Sequence, residues 1–112
     1  MVTEDVDVEA GKVLCREGDR GQEFFVLMEG EAEVTKHGTH LVTHRSGDFF
    51  GEIALIEDVP RTATVTAKTP IRFFVLMRRP FLELLDEQPA IERQVLRALA
   101  RRLISELGEP PL

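Results

Sequence analysis

From Val6 to Met77 the sequence is cut into short runs by turn-forming residues at near-regular intervals. The breaks fall at Ala10-Gly11, Glu17-Gly18-Asp19 with Gly21, Gly30, His37-Gly38-Thr39, Ser46-Gly47-Asp48 and Thr69-Pro70. Between them lie Lys12–Arg16, Glu23–Glu29, Glu31–Lys36, His40–Arg45, Arg61–Ala67 and Ile71–Met77. Several of these alternate polar and apolar residues, and Thr62, Thr64 and Thr66 against Ala63, Val65 and Ala67 shows the β-branched period of two. Many short strands with evenly spaced turns predict a sandwich or barrel.

The ending follows another period. Pro80 suits the start of a helix and Pro89 the first turn of a second. Ile91, Val95, Ala98, Leu99, Leu103 and Leu107 then recur on one helical face, before Gly108 and Pro110-Pro111 stop it. Strands first and helices last is an α+β order. A length of 112 residues suits one compact domain, so residues 1–112 are expected to form one.

Charge and cysteine content remove several function classes. The formal charge of −6 repels a phosphate backbone, and Arg97, Arg101 and Arg102 lie in the helical stretch. Direct nucleic-acid binding is therefore not expected. Cys15 is the single cysteine, so no intrachain disulfide forms, which fits a reducing cytoplasm. It reads as a strand residue with no histidine arranged to activate it. Phe73-Phe74-Val75-Leu76-Met77 is too short to span a bilayer, and the acidic opening is no signal peptide. A soluble cytoplasmic chain is expected.

Between Asp48 and Arg61 the strand rhythm fails. Gly51-Glu52-Ile53-Ala54-Leu55-Ile56 does not alternate and suits one or two helical turns. A helix beginning near Gly51 would present free backbone N–H groups and a positive dipole end to an anion. Gly51 and Ala54 let a ligand approach the backbone. Arg61 returns on the next strand with a guanidinium able to pair two phosphate oxygens. Glu52 suits a neutral hydroxyl beside that phosphate. Taken singly, a turn glycine, a solvated acid and a surface base would explain these residues equally well. Their joint occurrence weakens that explanation.

Phe50-Gly51-Glu52-Ile53-Ala54-Leu55, followed by Pro60-Arg61-Thr62-Ala63-Thr64-Val65, resembles the phosphate-binding cassette of cyclic-nucleotide-binding domains. That family includes catabolite-activator-type regulators, regulatory subunits of cyclic-AMP-dependent kinase and cyclic-nucleotide-gated channels. The resemblance covers about Val6 to Leu107. It implies an eight-stranded antiparallel β-roll, jelly-roll-like, with a short phosphate-binding helix and C-terminal helices. It implies that Glu52 holds the ribose 2′-hydroxyl, that Arg61 holds the cyclic phosphate, and that N–H groups near Ile53 and Ala54 add contacts. Thr62, followed by Ala63, sits where a hydroxyl touches the phosphate or, in some members, a guanine amino group.

The resemblance thus implies a sensor for cyclic AMP or cyclic GMP, a regulatory module and not an enzyme, with no cofactor. It also implies an output domain or partner protein. Nothing in Met1 to Leu112 resembles one, which suggests an excised domain or a minimal stand-alone protein. A C-terminal helix often covers the base in this family. Arg102 and Glu106, four residues apart, would then reach the base edge, or simply pair with each other in solvent. Two alternatives stand beside the sensor. The fold could have lost its ligand and serve as an interaction module. A cupin-like metal enzyme would need His37, His40 and His44, of which His40 and His44 are able to share a strand face.

Overall fold

The computed structural model describes residues 3–107, with side chains described for residues 5–101. The chain divides into two compact units, Met1–Phe81 and Leu82–Leu112. The first holds eight strands: β1 (Thr3–Val8), β2 (Val13–Cys15), β3 (Glu23–Glu29), β4 (Ala32–Lys36), β5 (Thr39–His44), β6 (Phe49–Phe50), β7 (Thr64–Ala67) and β8 (Ile71–Met77). A five-residue helix, α1 (Glu52–Ile56), interrupts them between β6 and β7. Two further helices follow, α2 (Arg78–Glu87), which crosses the boundary between the units, and α3 (Pro89–Leu107).

The strands form two four-stranded sheets, ordered β1-β8-β3-β6 and β2-β7-β4-β5. Every pairing is antiparallel. The inward residues of both sheets share one core: Phe25 and Leu27 of β3, Ala32 and Val34 of β4, Val65 and Ala67 of β7, Ile71 and Phe73 of β8, with Cys15 and Phe50. The expected eight-stranded α+β roll is therefore the observed fold.

The run Phe24-Phe25-Val26-Leu27 does not alternate because β3 is covered on both faces. Phe25 points into the core, packed at 4.8 Å from Phe50 and 5.5 Å from Phe73. Phe24 points the other way, stacked on Phe81 of α2 at 4.4 Å. Pro80 is the third residue of α2, where no intrahelical N–H partner is needed. Along α3, Ile91, Val95, Ala98 and Leu99 are the shielded positions, while Leu96 is 60% exposed. Leu103 and Leu107 lie beyond the described side chains. So do Arg102 and Glu106, the expected base lid. No helix among the described residues is long and apolar enough to cross a membrane.

Two expectations need correction. The strand expected from Arg61 begins only at Thr64, and Arg61–Ala63 is irregular. His40 and His44 do not share a face. Val34 pairs with Val42 and Thr35 with His40, so β5 carries an extra residue at Leu41. That bulge turns His40 outward, 3.2 Å from Glu33, and leaves His44 buried against Phe50.

Candidate functional site

The site is built where β6 ends. Phe50 is buried, its ring stacked between Phe25 and His44, so this residue anchors the segment through the core. Gly51 then turns the chain at φ 97° and caps α1 without a side-chain capping bond. Two facts require glycine here. The backbone is left-handed, and a Cβ would stand 2.8 Å from the Glu23 carbonyl oxygen and 2.9 Å from Arg61 Nη1. In α1, Glu52, Ala54 and Leu55 are buried and Ile53 is 37% exposed. Glu52 is wholly inaccessible and stands in the first turn, where the helix dipole favours a negative charge.

Arg61 approaches from the far side of the loop after α1. Its backbone is fixed by the β2–β3 turn: the Arg61 N–H donates to the Asp19 carbonyl, and the Gly18 N–H donates to the Arg61 carbonyl. Its side chain is only 6% exposed. Nη1 donates to the Gly51 carbonyl at 3.1 Å and Nη2 to the Glu23 carbonyl at 2.8 Å. The guanidinium carbon lies 5.8 Å from the centre of the Phe25 ring, and Glu23 Oε1 is 3.7 Å from Nη2. Gly21 leaves the remaining space, since a Cβ there would collide with the guanidinium. Two carbonyl bonds and the Phe25 ring thus fix the guanidinium away from solvent.

A cavity of about 240 Å³ opens on Arg61, lined also by Val13, Cys15, Arg16, Gly21 and Glu23. Of the residues expected from the sequence, only Arg61 lines it. Gly21 and Glu23 were missed, although Gly21 carried a signal: a second glycine three residues after Gly18 is more than a turn needs. Burial pushes the Cys15 thiol up to about 11, with Arg61 acting in the opposite direction, so it stays protonated at neutral pH. Thr62 is exposed, and Ala63 is half-buried against the core. His37 is exposed on its turn, and no cluster of three or more His, Cys, Asp or Glu suited to a metal occurs among the described residues.

This arrangement of glycine cap, short helix, buried carboxylate and seated arginine coincides with a family match. Residues 5–88 match the family model described as the cyclic nucleotide-binding domain. The chain belongs to that family. Over 85 residues this cyclic nucleotide-binding domain is 45% identical to a cAMP-dependent protein kinase regulatory subunit from Eremothecium gossypii, covering 75% of this chain and 18% of that protein. The chain spans about a fifth of the length of the curated relatives it matches. A solved structure of PKAR CBD2 bound to Sp-2Cl-cAMPS superposes with a TM-score of 0.78 at 30% identity, over 97% of this chain and 74% of that one. The catabolite activator protein of Thermus thermophilus gives a TM-score of 0.80 at 26% identity, over 90% of this chain and 50% of that one.

Proposed function

We propose that this cyclic nucleotide-binding domain is a cyclic AMP sensor whose ligand is held by Phe50 to Val65. The observation that carries the reading is the buried Arg61 guanidinium, seated beside the glycine-capped start of α1. A cyclic phosphate bears one negative charge, which one guanidinium and a few N–H groups can match. Arg61 takes that phosphate, with N–H groups of Ile53 and Ala54 beside it. Glu52, wholly shielded in this structure, turns its carboxylate to accept from the ribose 2′-hydroxyl when the ligand enters. Thr62 and Ala63 flank the phosphate, and Gly51 keeps the backbone open to it. Cyclic AMP is preferred over cyclic GMP because the relatives are regulatory subunits of cAMP-dependent kinases. The site binds and reports rather than transforms its ligand. It acts on an output domain or partner protein.

A ligand that binds only the folded state adds about 2.7 kcal/mol at a hundred times its Kd. For a domain of this size the melting temperature should rise by roughly 10 °C. Thermal melts with cyclic AMP and cyclic GMP test this. If neither nucleotide shifts the melt at millimolar concentration, the sensor reading fails and the interaction-module reading replaces it.

Glu52 should report on the sugar. Glu52→Gln keeps an acceptor but removes the charge, and affinity should fall by about 1–2 kcal/mol. The 2′-deoxy nucleotide should bind the wild type poorly and lose little more on Glu52→Gln. Calorimetry on the four combinations gives the coupling directly, and additive losses would break the assignment.

A further inference from the structure

Glu23 stands beside Arg61 as a charged group that phosphate binding does not require. Its backbone is held in β3, paired with Met77 of β8. Its carbonyl takes one Arg61 donor at 2.8 Å. Its carboxylate is different: Oε1 is 3.7 Å from Arg61 Nη2, too far for a hydrogen bond, and accepts from the Gln22 N–H at 2.9 Å. The side chain is 43% exposed and lines the same cavity as Arg61.

The seat of Arg61 does not depend on that carboxylate. Two carbonyl bonds hold the guanidinium, Phe25 lies beneath it, and Gly21 leaves it room. The charge of Glu23 therefore acts on whatever anion Arg61 binds, not on the shape of the site. An anion oxygen about 3 Å from Arg61 Nη2 lies about 3–7 Å from Glu23 Oε1, since that nitrogen is 3.7 Å from the carboxylate. At that range two negative charges repel, inside the Debye length of ordinary buffers.

We propose that Glu23 is an affinity-setting residue: its carboxylate opposes the cyclic phosphate on Arg61 and raises the nucleotide concentration at which the domain responds. The inference rests on the assignment of Arg61 to the phosphate. At about 6 Å and an effective dielectric between about 30 and 80, the opposition is worth a factor of about three to twenty in Kd.

The test is calorimetric titration of the full chain with cyclic AMP, using wild type, Glu23→Gln, Glu23→Asp and Arg61→Ala. Glu23→Gln should bind about three- to twentyfold more tightly at about 0.1 M salt. The gap should shrink at about 1 M salt, where the Debye length falls to about 3 Å. Glu23→Asp, which keeps the charge, should stay close to wild type. A purely structural role would lower affinity in Glu23→Gln and would not make the gap depend on salt. The inference is overturned if Glu23→Gln binds equally or more weakly while Arg61→Ala loses binding. If Arg61→Ala binds like wild type, the phosphate assignment falls and this inference falls with it.

Discussion

Replacing Arg61 with alanine should weaken cyclic AMP binding more than any other single change while the β-roll persists. Truncating one partner of a buried, hydrogen-bonded charge pair costs about 2–5 kcal/mol, roughly thirtyfold to several thousandfold in Kd. The structure adds a consequence that the sequence did not suggest. Arg61 also bonds the Gly51 and Glu23 carbonyls, so its loss leaves two partly buried acceptors without their donor. Stability should fall as well, by about 1–3 kcal/mol. Arg61→Lys separates the two effects. An ammonium keeps the charge but has no planar fork to span both carbonyls and a phosphate. Its affinity should lie between wild type and alanine. Circular dichroism with calorimetry on both variants checks this, and wild-type affinity in a folded Arg61→Ala would place the phosphate elsewhere.

The legible part of this site was the part made of consecutive residues. Gly51, Glu52 and Ala54 announced themselves because the strand rhythm fails across them, and α1 lies inside that stretch, after the two-residue β6. The strands were legible for the same reason: β3 and β8 match their apolar runs end to end, Glu23–Glu29 and Ile71–Met77. What a period cannot show is which distant residue meets which. The seat of Arg61 uses Asp19, Gly21 and the Glu23 carbonyl, some forty residues earlier, and the β2–β3 turn read simply as a turn. The threonine alternation hid the irregular start of β7, because Thr62 continues the pattern of Thr64 and Thr66 while the backbone of Arg61 is committed to Asp19. The bulge at Leu41 was equally silent, since one extra residue in a strand changes facing without changing composition.

The second large effect belongs to Phe25, where the core and the site share a side chain. The residue is 4% exposed, and its ring contacts Phe50, Phe73 and the Arg61 guanidinium. Removing a buried phenylalanine costs about 3–5 kcal/mol through lost transfer energy and the cavity left behind. A domain holds about 5–15 kcal/mol in total, so Phe25→Ala should consume a large share. With a urea slope of about 1–3 kcal/mol per molar, the unfolding midpoint should drop by more than about 1 M. Phe25→Leu, which fills most of the space, should cost less than half as much. The ring is also the floor under Arg61, so the loss should extend to binding. Ligand at a hundred times its wild-type Kd adds about 2.7 kcal/mol to an intact site. Phe25→Ala should recover less than that, because the cation–π contact, about 0.5–1 kcal/mol, and the support of Phe50 go with the ring. Denaturation of both variants with and without cyclic AMP distinguishes the cases. Full rescue of Phe25→Ala would mean that the core holds the fold while the arginine seat stands independently of it.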